Sequence, residues 1–203
     1  MPRLVIISNR LRITIKKRAE ELEYSPSDGG LATGLNSLDE SLERIWIGWA
    51  GREIKEAEKQ EAVSKKLRSQ GLIPVFLTKK EIRLYYEGFS NKTIWPHFHY
   101  FTQYTTYDDE YWEAYQKVNQ KFLVVNQHLR ADDLVWVHDY QLMLLPAMIR
   151  TLHPRISIGF FLHIPFPSYE IFRILPWRGA LLDGVLGADL IGFHTFDYMR
   201  PFL

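Results

Sequence analysis

Six short apolar runs punctuate the 203-residue chain: "RLVIIS" (3–8), "RIWIGWA" (44–50), "LIPVFL" (72–77), "DLVWVHD" (133–139), "ISIGFFLH" (156–163) and "DLIGFH" (189–194). Several are continuously apolar rather than alternating, as parallel strands covered on both faces are. Helical patterns fill the intervals. Residues 31–43 follow a glycine pair, and the charged stretch 53–70 predicts an exposed helix. In 109–130, Tyr111, Tyr115, Val118, Phe122, Val125 and Leu129 recur at spacings of three and four, which makes one apolar face. Residues 141–152 and 168–187 complete the set. Strand–helix alternation predicts right-handed crossovers and an α/β fold with a doubly wound, mainly parallel sheet. Residues 10–28 break the pattern and read as a strand pair or flap. No repeat, low-complexity tract or long linker divides the chain.

Composition narrows the function. At 46% hydrophobic and 14% aromatic residues the chain can build a sizeable core. Its 25 basic and 24 acidic side chains leave a net charge of +1, no footprint for nucleic acid or an anionic membrane. A charged ligand must therefore be gripped by a local cluster. There is no cysteine, hence no disulfide and no thiolate metal site. The N-terminal apolar run Leu4–Ile7 is too short for a signal-peptide core, and no run nears the roughly 18 apolar residues of a membrane span. A soluble, cytoplasmic protein is expected. The chain stops at "TFDYMRPFL", which reads as the first turns of a helix with no polar tail. The expectation is a piece of a longer protein, cut near a domain edge.

Ligands of open α/β sheets bind outside the carboxyl ends of the strands, and those ends are polar here. They read Ser8-Asn9-Arg10, His138-Asp139, His163 and His194. Any one such histidine is more often a satisfied core residue. Four polar endings on one rim suit a phosphorylated, polyhydroxylated ligand, with arginine for phosphate and aspartate for sugar hydroxyls. "DGGLATGL" (28–35) sets a glycine pair before a helix start, where backbone N–H groups can approach phosphate; a plain turn is about as good a reading. Its G-G-x-x-x-G spacing is not the dinucleotide fingerprint. "LYYEGFSNKTIWPHFHY" (84–100) offers Tyr86 and Trp95 to a sugar, against the plainer reading of a core aromatic cluster. His97-x-His99 has zinc-ligand spacing but no fitting carboxylate nearby. After His163, Pro165 and Pro167 stiffen the turn; Ser168 is placed to cap the next helix, with Glu170 in its first turn.

Together these residues resemble the trehalose-6-phosphate synthases, retaining glycosyltransferases of GT-B architecture. The motifs "VIISNRL", "GGLATGL", "WIGWAG", "YYEGFSNKTIWPHFHY", "VWVHDYQLMLLP", "GFFLHIPFPSYEIFRILP" and "DLIGFHTFDY" stand in family order and span essentially the whole chain. The resemblance implies that residues 1–203 are the N-terminal, acceptor-binding Rossmann-like domain, with the donor-binding domain beyond Leu203. It implies transfer of glucose from UDP-glucose, or another nucleoside-diphosphate glucose, to glucose-6-phosphate with retention, giving trehalose-6-phosphate. It implies substrate contacts from Arg10 (phosphate), Gly30 (nucleotide diphosphate), Trp49, Tyr86 and Trp95 (acceptor pocket), Asp139 (acceptor hydroxyls) and His163 (transferred glucose). Asp139 and His163 are the catalytic candidates, and Trp49 is preferred over Trp46. A front-face route, in which the departing diphosphate takes the acceptor's proton, calls for no metal and no cofactor. Homo-oligomerisation stays open. One departure stands out: Arg12 occupies a position where many members carry proline. The rival readings are a glucosylglycerol-phosphate synthase-like transferase and a catalytically silent sugar-phosphate sensor. A nucleotide-dependent dehydrogenase is disfavoured by the glycine spacing.

Overall fold

The computed structural model describes residues 2–18, 21–27, 30, 34 and 43–203. Most of the helix expected over 31–43 and most of the glycine loop lie outside the described residues. Six strands form one parallel sheet: β1 (Leu4–Arg10), β4 (Arg44–Trp49), β5 (Leu72–Val75), β6 (Leu134–His138), β7 (Ser157–Leu162) and β8 (Leu190–Phe193). The remaining pair, β2 (Ile13–Arg18) and β3 (Glu21–Pro26), is the antiparallel hairpin expected in 10–28. Ser27 N–H closes its base on the Arg12 carbonyl at 2.8 Å, so the arginine sits in the hairpin hinge.

The spatial order is β5-β4-β1-β6-β7-β8. The chain leaves β1 toward one edge, then returns to β1's other side and builds outward to the opposite edge. That is the doubly wound arrangement, and its switch point lies between β1 and β6. Alternating side chains feed two cores. Val5 and Ile7 join a large cluster with Ile47, Tyr85, Phe89, Tyr115, Val137 and Phe160. Ile6 points the other way, into a smaller cluster with Trp46, Ile15, Val63 and Leu67.

Helix α1 (Ala57–Arg68) buries only Val63 and Leu67, as its charged sequence implies. A short α2 (Lys79–Glu81), started by a Thr78–Glu81 capping box, runs into a π-helix (Ile82–Ile94) and a last turn, α3 (Trp95–Phe98). This element was not legible in the aromatic stretch. Helix α4 (Asp109–Phe122) buries Ala114, Tyr115, Val118, Asn119 and Phe122, and the Asp108 carboxylate caps it. It ends eight residues before the expected 130 and continues as a 3-10 turn, Leu123–Gln127. The expected helix 141–152 is a 3-10 turn, Tyr140–Leu142, followed by α5 (Leu145–Leu152). The expected helix 168–187 is two, α6 (Tyr169–Phe172) and α7 (Arg178–Val185), since Pro176 cannot continue a helix begun upstream. The last helix is α8 (Phe196–Met199). Ser168 holds the N-cap position of α6 without a side-chain cap bond; its backbone N–H instead donates to the Tyr100 hydroxyl at 2.8 Å. Strand β7 is fully buried on one face only; Gly159 and Phe161 on the other are half-buried. No helix among the described residues is long and apolar enough to cross a membrane.

Candidate active site

The rim begins at a bulge. The pairing of β1 with β4 slips between Ile7 and Arg10. Ser8 Oγ pins the slip, donating to the Arg10 carbonyl at 2.6 Å and accepting the Trp46 indole N–H at 2.8 Å. The bulged backbone lies so close to Gly48 that a Cβ there would stand 2.7 Å from the Arg10 carbonyl carbon. Bulges re-aim side chains, and Arg10 emerges exposed. Its guanidinium stands 4.8 Å from the Trp49 ring and 5.7 Å from the Tyr86 ring. Trp49 is thus the tryptophan beside Arg10, while Trp46 is spent on Ser8 and the opposite core. The Trp49 indole N–H is held by the Arg52 carbonyl at 3.3 Å.

The π-helix forms the wall above these strand ends. Such a helix takes about 4.4 residues per turn, against 3.6 in an α-helix. Nine residues therefore make about two turns, which sets Tyr86 and Trp95 on one face rather than on opposite ones. Asn91 lies near that face; Arg83, Glu87, Asn91, Lys92 and Trp95 are exposed, while Tyr86 is half-buried against the large cluster. The helix is hooked to the sheet twice. Tyr85 donates its hydroxyl to Asn9 Oδ1 at 3.1 Å, and Tyr140 donates its own to Asn91 Oδ1 at 3.0 Å. Trp95 is exposed and stacks on His99, ring centroids 4.2 Å apart.

Asp139 follows β6 with φ 76° and ψ 169°. That region is essentially reserved for glycine and costs about 1–3 kcal/mol for any other residue. The turn is held from all sides. Asp139 N–H donates to the Phe161 carbonyl at 2.8 Å, and Tyr115 donates its hydroxyl to the Tyr140 carbonyl at 2.7 Å. The Asp139 carboxylate accepts the backbone N–H of His163 at 3.1 Å. Burial pushes its carboxyl up to about 6, against the opposing pull of the Tyr140 and His163 backbone N–H groups. Burial likewise raises the Tyr140 hydroxyl, with the charges of Asp139 and Tyr86 adding to the effect.

Strand register explains the histidines. His138 pairs with Phe161, and Leu162 pairs with Phe193, so His163 is level with His194 and on the same face as His138. His138 Nδ1 lies 3.0 Å from His163 Nε2, and His163 Nδ1 lies 3.2 Å from His194 Nε2. Both ring nitrogens of His163 are therefore engaged by other imidazoles. His97 and His99 are occupied elsewhere: His97 Nε2 meets the Ile171 carbonyl at 2.8 Å, and His99 Nδ1 meets the Trp95 carbonyl at 2.7 Å.

The described structure thus gathers Arg10, Trp49 and Tyr86 into one contact group and Asp139 with His163 into another, on the ends of β1 and β6 that flank the switch point. Gly30 is exposed, with open space where a Cβ would stand. Sequence reasoning missed the bracing residues Tyr85, Asn91, Tyr115 and Tyr140; nothing in the chain's periodicity marks a tyrosine that ties a helix to a turn.

Residues 2–203 match the model of glycosyltransferase family 20. The 56 kDa subunit of the UDP-forming α,α-trehalose-phosphate synthase of Kluyveromyces lactis is 48% identical over 208 residues, covering 98% of this chain and 43% of that protein. A UDP-forming α,α-trehalose-phosphate synthase from Burkholderia xenovorans, solved in complex with glucose-6-phosphate, superposes with a TM-score of 0.78 at 31% identity, over 98% of this chain and 42% of that one. An E. coli trehalose-6-phosphate structure bound with UDP-2-fluoro glucose gives a TM-score of 0.79 at 30% identity, over 98% and 41%. The chain spans less than half the length of these relatives. With its sequence matched from end to end and its doubly wound sheet shared, the chain belongs to glycosyltransferase family 20.

Proposed function

We propose that the chain is the acceptor-holding domain of a retaining glucosyltransferase. It moves glucose from UDP-glucose, or another nucleoside-diphosphate glucose, onto glucose-6-phosphate and gives trehalose-6-phosphate. The observation that carries this is an exposed guanidinium, Arg10, beside Trp49 and Tyr86 at the end of β1, with a strained carboxylate, Asp139, at the end of the neighbouring β6. Arginine suits the phosphate and the carboxylate suits sugar hydroxyls. The aromatic walls, with Trp95 farther along the same helix face, suit the sugar's apolar faces. The family membership and the glucose-6-phosphate and UDP-sugar complexes of its relatives support the same reading.

Retention follows if the acceptor hydroxyl reaches the anomeric carbon on the face the diphosphate leaves. The glycosidic bond to the diphosphate breaks with its electron pair going to the diphosphate oxygen. The new bond to the acceptor oxygen forms, and the acceptor's proton passes to that departing oxygen. This domain then contributes positioning: Arg10 and Asp139 hold the acceptor's two ends, and His163 lies beside the transferred glucose. Charge on the leaving diphosphate is met chiefly by a second domain, with Gly30's loop against it.

Kinetics of the transferase carrying this chain test the assignment. Losing a hydrogen bond to a charged group costs about 1.5–3 kcal/mol. Arg10→Ala and Asp139→Ala should each raise the KM for glucose-6-phosphate by about 10- to 100-fold, with the KM for the nucleotide sugar little changed. Unchanged glucose-6-phosphate kinetics in either variant would sink that residue's role.

A further inference from the structure

The row His138–His163–His194 has two ends of opposite character. His138 is 1% exposed, and its Nε2 is buried with no hydrogen-bond partner among the described residues. Besides His163, its ring neighbours are Trp136 at 4.5 Å and Phe161 at 6.5 Å between centroids, neither of which supplies a lone pair. His194 is exposed, with Nε2 turned to His163 and Nδ1 left at the outer end.

A neutral imidazole carries one N–H and one lone pair. With one N–H and one lone pair on each ring, the two links can point only one of two ways. Pointing inward, the row runs His194 to His163 to His138 and leaves a bare N–H on the buried His138 Nε2. Pointing outward, it leaves only a lone pair there. Among backbone groups an orphaned buried N–H is rarer than an under-satisfied acceptor; by the same ordering a bare lone pair on His138 Nε2 is the lesser loss, and the outward sense is favoured. Burial, and then the adjacent imidazole in each case, hold His138 and His163 neutral at physiological pH, lowered to about 3 and about 4. Asp139 engages the backbone N–H of His163, not its ring, and does not compete for either link.

We infer that His138 and His194 are positioning residues that fix His163 as its Nδ1–H tautomer and turn His194 Nδ1–H outward as a hydrogen-bond donor at the rim, where it would meet an oxygen acceptor of a sugar hydroxyl or phosphate. Only the identity of that acceptor rests on the transferase reading. The proton arrangement is a property of the protein itself.

Long-range proton–nitrogen NMR on the nitrogen-15-labelled chain reads which ring nitrogen carries each proton. At neutral pH, His138 and His163 should both show a protonated, pyrrole-type Nδ1 and a bare, pyridine-type Nε2. An Nε2–H tautomer or an imidazolium on either ring overturns the inference in the unmutated protein, with no dependence on a variant folding. His138→Asn, which keeps an amide N–H near the Nδ1 position, should preserve the His163 spectrum. His138→Leu should shift it toward a tautomer mixture, which a purely structural role for His138 would not do; an unmoved His163 in a folded His138→Leu protein also overturns the inference. Failure of the transferase reading would leave all of these spectra unchanged.

Discussion

Asp139 shows what a single residue carries. Its backbone sits where glycine belongs and its carboxyl is raised to about 6 by burial, against an ordinary value near 4. A raised carboxyl means the folded state binds the proton more tightly than the unfolded chain. That contribution to stability is complete below about pH 4 and is lost as pH rises through about 6. Asparagine cannot ionise and tolerates positive φ about as well. Asp139→Asn should therefore be more stable than the parent by about 2–3 kcal/mol at mildly alkaline pH, a gain that shrinks to nothing as pH falls toward 4. Denaturant melts across that pH range measure it, and a pH-independent difference would contradict the buried-charge account. The same substitution should weaken glucose-6-phosphate binding if Asp139 holds acceptor hydroxyls. Stability forgone at a site in exchange for binding is common in enzymes.

At the scale of elements, legibility follows the period. The strands stood out because covered parallel strands are apolar throughout, and β1, β4, β6, β7 and β8 lie within a residue or two of the runs that signalled them. The polar endings of those strands were equally plain, so the rim was readable before its geometry was. The π-helix was not, because its spacing of exposed residues matches neither the 3.6 nor the 2.0 template. The imidazole row was out of reach for a different reason: His138, His163 and His194 meet only through the register of three strands far apart in sequence. Helix packing gives a sharp test of another hidden constraint. A Cβ on Gly187, just past α7, would lie 2.3 Å from the Ala147 backbone of α5, whereas a Cβ on Gly179, inside α7, meets nothing within 4 Å. Gly187→Ala should cost about 3 kcal/mol or more, since rigid backbone must move. Gly179→Ala should stabilise by about 0.5–1 kcal/mol through helix propensity. Thermal melts of the two variants decide; equal effects would mean that α5 and α7 are not in this close contact.

At the scale of the whole molecule, the sheet carries a core on each face, and its buried Arg3 is bidentate to Asp133 at 3.1 and 2.8 Å, tying the start of β1 to the turn before β6. Both clusters are built from residues of this chain, so the 203-residue chain should melt cooperatively by itself. Turnover is another matter. At the strand ends Arg10 is exposed and Tyr86 and Asp139 are half-buried, whereas a charge developing on a leaving diphosphate is stabilised best by fixed groups in a water-excluded site. The acceptor-domain proposal therefore expects a split result. Titration calorimetry should detect glucose-6-phosphate binding to the chain, weakened at least about tenfold by Arg10→Ala. A coupled assay for released nucleotide should stay at background with both substrates present. Robust turnover by the isolated chain would place the donor site inside these residues and overturn the division of labour. Absence of sugar-phosphate binding in a folded chain would instead remove the acceptor role from this domain.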